Sequence, residues 1–423
     1  MGDIMTNNNT QLQSFLAEVL DRAASVCSDE FLKYFRFIQQ ERERLLDSVW
    51  HEIPAGEQTP DMKQFVFKEI DFDSIVTHSK SYITNAEDYF RLVFDIAVIA
   101  INYGYFVKAA LLLNRIVKNN QKGIDERLKA NSYKKLGKIH FYKNNFILAE
   151  ESIEQSLNYF SILKDTLEIA RNKNSLGIIR VEKNLPVEGK LLFLEAQKLS
   201  GDFNDAQLTM KILINLGIVS HRLGELGEAM EYFQDALKLV NGDANKAQRA
   251  SVLHNIGVVY KSKEEYGKAS AYFMKSISLC KETYNVYQKG LSYLEYAHVT
   301  AHMRDLPKAM ALATTAFPIF SELGAKMHIA EVYKLYGMIN RMGGKYDIAL
   351  SYLENSKRIN HEYNNHFNLG ETYFEMGEYY RATGDKKQSL ENYQESIKQF
   401  QFIQANKKAA DVEYVMNRLP LSN

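Results

Sequence analysis

Seven positions in this chain stand 40 residues apart: Gly137, Gly177, Gly217, Gly257, Ala297, Gly337 and Gly377. A period held so strictly confines the chain to a stacked repeat, because only like units resting on like neighbours need the same small residue at the same interval. Companion columns identify the unit. Twelve residues after each comes a small residue (Ala149, Gly189, Ala229, Ala269, Ala309, Ala349, Ser389). Four further on stand Ile153, Phe193, Phe233, Phe273, Ala313, Leu353 and Tyr393, and three beyond those come Ser or Ala from Ser156 to Ser396. Offsets of 0, 4 and 7 trace one helical face. A second face leads up to the glycine, with Tyr133, Lys173, Leu213, Leu253, Tyr293, Tyr333 and Tyr373 four before it and Leu136, Leu176, Leu216, Ile256, Tyr296, Tyr336 and Met376 just before it. The unit is therefore a helix pair.

Close approach explains the residue types. Two antiparallel helices joined by a short turn cross tightly only where one contributes almost no side chain, so Gly or Ala faces Ala or Ser while a ring fills the space beside them. Between the two faces lie Lys143-Asn144-Asn145, Asn184-Leu185-Pro186, Leu223-Gly224-Glu225, Arg304-Asp305-Leu306-Pro307, Met342-Gly343-Gly344 and Thr383-Gly384-Asp385. Each carries a residue that ends helices.

The pattern Leu216-Gly217, Ala229, Tyr232-Phe233, Ala236, followed by Ile256-Gly257, Tyr260, Ala269, Tyr272-Phe273, resembles the tetratricopeptide repeat, over about three quarters of the chain. The spacing departs from the common 34 residues. At 40 it resembles the longer-helix variants of polarity adaptors, of sensor arms in bacterial regulators and of peptide-pheromone receptors. The Pro that usually closes the second helix is absent, and Gly201-Asp202, Asn241-Gly242-Asp243 and Asn364-Asn365 supply the break. The resemblance implies an all-α, right-handed α-solenoid of about eight 40-residue helix pairs. One period back from Gly137, Ala97 with Ala109, Leu113 and Ile116 marks a degenerate first pair; one period on from Gly377, Lys407 to Arg418 sits where a further first helix would begin and is expected to cap the array. The expected organisation is an N-terminal helical bundle over 1–89, the superhelix over 90–409 with units starting near 90, 130, 170, 210, 250, 290, 330 and 370, and a capping helix and tail over 410–423. Before residue 87, Gln11 to Val26, Asp29 to Val49 and Met62 to Ile83 carry helical spacing, broken by the loop His51 to Pro60. The unit of Ala297 also has Ala313 where a ring is expected and Leu306-Pro307 in its turn, which predicts a looser joint with His298 and His302 on its inner face.

Composition suits an all-helical, cytoplasmic protein: 46% hydrophobic, 25% charged and only 6 prolines in 423 residues. Two cysteines far apart, Cys27 and Cys280, argue for a reducing compartment. No 18-residue apolar run occurs, so no transmembrane segment is expected. With 52 basic and 52 acidic residues the chain has no general attraction for nucleic acid. Chemistry-bearing motifs are missing too. Gly343-Gly344-Lys345 lacks the spacing and the Ser or Thr of a phosphate loop, and no dinucleotide fingerprint or nucleophile elbow is present. His298 and His302 stand four apart on a helix, but Val299-Thr300-Ala301 between them lacks a metalloprotease glutamate. No catalytic residue, metal or cofactor is expected.

Binding chemistry then belongs on the concave face, lined in the resembled family by the first helix of each pair. Positions six, three and two before the glycine and one, four and five after it should face inward. Early units offer Lys134, Lys138, Arg171, Lys211, Asn215, Arg222, His254 and Asn255, besides Lys135, Asn174 and His221. Later ones offer His298 and His302, then Glu331, Glu371, Glu375 and Glu378 interrupted by Arg341 and Arg381. A wall basic at one end and acidic at the other would orient a polarised peptide. Asn215 and Asn255, equivalent in adjacent units, could each donate to and accept from a peptide backbone. Lys134 could open the carboxylate clamp by which some relatives hold chaperone tails, but Lys138 and Ser175 occupy its next places, so that clamp does not assemble. The reading that results is a non-catalytic adaptor or scaffold holding a protein or peptide. The alternative is a cytosolic peptide-responsive regulator whose superhelix tightens on a short peptide and signals through the N-terminal bundle. Self-association into a homo-oligomer stays open.

Overall fold

The computed structural model describes residues 85–119, 124–201, 203, 205–240 and 245–418, with a few positions between 18 and 83. Most of the expected bundle over 1–89 and the break at Asn241-Gly242-Asp243 lie outside the described residues. All seventeen elements among the described residues are helices: α1 (Ala86–Asn102), α2 (Phe106–Val117), α3 (Glu126–Tyr142), α4 (Phe146–Ile162), α5 (Thr166–Glu182), α6 (Pro186–Ser200), α7 (Ala206–Arg222), α8 (Leu226–Leu239), α9 (Lys246–Ser262), α10 (Tyr266–Glu282), α11 (Val286–His302), α12 (Leu306–Glu322), α13 (Lys326–Met342), α14 (Tyr346–Glu362), α15 (His366–Thr383), α16 (Lys386–Phe402) and α17 (Asn406–Met416). The fold is all-α, built of consecutive antiparallel helix pairs. The chain divides into two compact units, 1–179 and 180–423.

The period has a plain local origin. Most of the helices are 17 residues long and three-residue turns join most of them. In these turns the middle residue is left-handed, and the next helix begins two residues after it. Gly104, Asn144, Asn184, Gly224, Glu264, Arg304, Gly344 and Gly384 take this conformation after the odd-numbered helices, and Lys164, Tyr284, Gly324, Asn364 and Gln404 after the even-numbered ones. The residue after it is often an Asn or Asp whose side chain accepts from the backbone of the first turn, as with Asn145, Asn285, Asp305, Asn365 and Asp385.

In the first unit the core joins α1, α2 and α3 through Leu92, Ile96, Leu112, Leu113 and Leu136, with Val19, Ala23 and Val76 added from upstream. In the second, cores follow one another along the array, from Phe233 and Ile256 through Phe273 and Tyr296 to Phe320 and Leu335 and finally Tyr393 and Val412.

The glycine column is the seat of the ring sixteen residues later. A methyl group on Gly217 would stand 2.5 Å from the Phe233 ring and one on Gly257 2.6 Å from Phe273; on Gly337 it would meet Leu353 at 2.6 Å and on Gly377 Tyr393 at 2.7 Å. In the first unit Gly137 stands likewise against Ile153. This corrects the expectation of a looser joint at Ala297. Ala297 and Ala313 are both fully buried in one continuous core, and α11 packs on α12 as extensively as the other pairs do. Two alanines fill less volume than a glycine and a ring, and the larger side chains of the same core, among them Leu294, Phe320 and Leu335, pack about the two methyls and leave both buried. A second column went unread in the sequence. Seven residues before each glycine stand Ala130, Ala170, Met210, Ala250, Gly290, Ala330 and Gly370. A methyl on Gly290 would come within 3.1 Å of Phe320, and on Gly370 within 2.8 Å of Phe400.

Candidate functional site

In the second unit the first helices of the pairs, α7, α9, α11, α13 and α15, and then α17, carry a line of charges that alternates in sign. Lys261 on α9, Glu295 on α11, Lys334 on α13, Glu371 on α15 and Lys408 on α17 form it. Lys261 Nζ donates to Glu295 at 2.7 Å, Lys334 bridges Glu371, and Lys408 Nζ stands 3.5 Å from the other Glu371 oxygen. A second brace repeats the Lys261–Glu295 register 80 residues on, where Arg341 meets Glu375 at 2.8 Å. Glu378 joins it by accepting from Arg381 at 2.5 Å and from the Tyr393 hydroxyl at 2.5 Å. Burial alone would raise these carboxyls, but Lys261 holds Glu295 down to about 2 and Lys334 with Lys408 holds Glu371 far below the usual range. Glu375 moves the other way. Burial raises it although Arg341 faces it, and the neighbouring Glu378 carboxylate adds to the rise.

These pairs change the expected gradient along the wall. Glu371, Glu375 and Glu378 are each neutralised by a cation from the same or a neighbouring helix, and Glu331 accepts from Asn368 at 3.0 Å. The late units therefore do not present a free acidic surface. The first unit behaves alike: Lys134 bridges Glu168, Arg171 stands 2.6 Å from the same carboxylate, and Lys138 is exposed beside the Tyr142 ring. Like charges on successive helices would repel, and the stack resolves this by pairing opposite signs between neighbours.

The remaining candidates of the second unit sit mainly on α7 and α9. Lys211 is exposed, Asn215 and Asn255 are half-buried, and Arg222 donates to the Val181 carbonyl at 3.3 Å. Asn255 occupies the register position of Glu295 and Glu375, two before the glycine, so it faces the same wall as the braces. His254 was expected in the groove but is buried between helices, where its Nδ1 lies 3.1 Å from Ser292 Oγ and its ring 5.5 Å from that of Phe273. His221 Nε2 lies 2.8 Å from Ser262. Burial lowers both imidazoles to about 4, for His221 with help from Lys261. His298 is driven well below its ordinary value by burial and then by Lys261, and its Nδ1 has no partner. The His298 and His302 rings are 4.8 Å apart, and His302 stacks on Tyr266. Among the described residues no cluster of three His, Cys, Asp or Glu could hold a metal.

The sequence model described as Tetratricopeptide repeat matches residues 208–282 and 328–401. These stretches are tetratricopeptide repeats. No curated protein matches the chain in sequence. Solved structures share the fold. The apo form of the quorum sensor NprR from B. thuringiensis superposes with a TM-score of 0.62 at 14% identity, covering 92% of this chain and 99% of that one. A Rap protein complexed with competence and sporulation factor gives 0.56 at 12% identity over 95% and 97%. The apo form of RapI gives 0.55 at 17% identity over 67% and 99%.

The glycine register itself designates the braces missed in the sequence. Lys261 lies four after Gly257, Glu295 two before Ala297 and Lys334 three before Gly337. No helix among the described residues is long and apolar enough to cross a membrane.

Proposed function

We propose that the tetratricopeptide array binds a short, extended peptide along the inner wall of its second unit and works as a non-catalytic, peptide-responsive regulator. One observation carries this choice over a scaffold for folded proteins. The inner helices curve until α17 meets the turn between α7 and α8, where the Lys407 side chain lies against Gly224. A wall closed to that degree suits an extended chain better than a globular surface. Likeness over nearly the whole chain to a quorum sensor, and to a Rap protein holding competence and sporulation factor, supports the reading. The Asn255 amide can both donate to and accept from a peptide backbone, and Lys211 offers an exposed cation on α7, the preceding inner helix.

The test is capture from a peptide pool of the source cell, with retained peptides identified by mass spectrometry. Retained peptides should bind about fivefold or more weakly to Asn255→Ala and Lys211→Ala, the cost of one polar contact each, while melting temperatures stay unchanged. Recovery of a folded partner protein with no peptide retained would favour the adaptor reading instead.

A further inference from the structure

We propose that α17 is a strap: it closes the ring of inner helices in the second unit, and it must swing off the α7–α8 turn for the channel to open on that side. The proposal rests on reading that channel as the binding site.

Two contacts place the strap. Lys407 Cδ and Nζ lie 3.0 Å from where a Cβ on Gly224 would stand. Gly224 is left-handed, at φ +80, so a bare backbone serves both the turn and the approach of the lysine. Lys408 reaches Glu371 at 3.5 Å. Its charge also acts on His221, on α7. The strap thus joins one end of the ring to the other.

The same helix is poorly secured by itself. It has 11 residues, below the length at which isolated helices hold in water. Only α16 packs broadly against it among the described residues, through Ala409 and Val412, while Tyr414 is 58% exposed. Its first residue follows Ala405, which provides no side-chain cap, and its first turn holds no acidic residue. Lys407 and Lys408 instead sit at the positive end of the helix dipole, where cations are unfavourable. A helix serving only to cover the last pair would gain from acids at those positions. The lysines make sense as docking groups for Glu371 and the Gly224 turn, held at a local cost that makes release easy.

Thiol labelling tests this on the full chain in a Cys27→Ser/Cys280→Ser background, with Asn255→Cys as the channel reporter and the exposed Asp347→Cys on the outer helix α14 as the control. Lys407→Glu/Lys408→Glu suits the helix dipole and repels Glu371, so it detaches the strap without weakening the helix. Labelling of Asn255→Cys by a maleimide should accelerate about fivefold, what loss of one partly exposed ion pair gives, with the Asp347→Cys rate and the melting temperature unchanged. Lys408→Gln should shift the rate the same way by less. An Asn255→Cys rate indifferent to both changes, or equal acceleration at both reporters, would overturn the strap. No peptide takes part, so the outcome is independent of whether peptide capture succeeds.

Discussion

At the scale of single residues, the array is governed by what fills the space opposite the column of small residues. Gly217 leaves room for Phe233 and Gly257 for Phe273, while Ala297 and Ala313 meet at the same place with one methyl each. The column was plain in the sequence because steric exclusion fixes it to Gly or Ala, and the ring sixteen residues on varies with it. The exchange at 297 and 313 was misread, since a missing ring looks like a hole until the side chains packed around it, such as Leu294 and Leu335, are known. The pair predicts its own rescue. Ala313→Phe alone should cost about 1–3 kcal/mol by overpacking against Ala297. Adding Ala297→Gly restores the seat found in the neighbouring units, and the two changes should couple by about 1 kcal/mol or more in urea unfolding. Simple additivity would show that position 297 does not seat the ring.

Elements are joined by polar braces as well as by cores, and those were the less legible part. In the sequence Lys261, Glu295 and Lys334 look like solvated helix residues and Glu371 like a free acid of the inner wall; only the pairing of one helix with the next shows that they neutralise each other. The left-handed turns were half legible. Asn144, Asn184, Gly224, Gly344 and Gly384 announce themselves, whereas Lys164, Glu264, Tyr284, Arg304 and Gln404 adopt the same conformation because both flanking helices are held by the stack. Among the braces, Arg341 and Glu375 are the best shielded, with side chains 15% and 13% exposed. Removing one partner leaves the other buried and unpaired. Arg341→Leu should therefore destabilise by about 3 kcal/mol, and Arg341→Leu/Glu375→Leu should recover most of that, since a buried pair is often replaceable by apolar groups. Denaturant midpoints of the two single variants and the double variant decide it. A double variant as unstable as the sum of the singles would mean that the two side chains do not act as a brace.

For the molecule as a whole, what the repeat pattern could not convey is the outcome of many small rotations between pairs. The approach of Lys407 to Gly224 depends on all of them together, and no single column encodes it. That curvature also gathers ionisable groups into one interior, and their linkage to folding can be measured. His254 is 8% exposed and His221 lies against Ser262; burial lowers both to about 4, from the 6.5 of an unfolded histidine. Between those values the unfolded chain binds protons that the folded chain refuses, so stability is full above pH 6.5 and falls as the pH drops toward 4. The carboxylates do not contribute in the upper part of this window. Glu295, lowered to about 2, and Glu371, lowered further, lose their contribution only once the pH falls below the ordinary carboxyl value near 4.5. His254 alone should remove about 2 kcal/mol at pH 5 relative to pH 7. Urea unfolding across that range should show a midpoint steady above pH 6.5 and declining below it, with a shallower decline in His254→Gln. An equal decline in the variant would assign the acid response to His221 and His298, the other buried imidazoles facing Lys261.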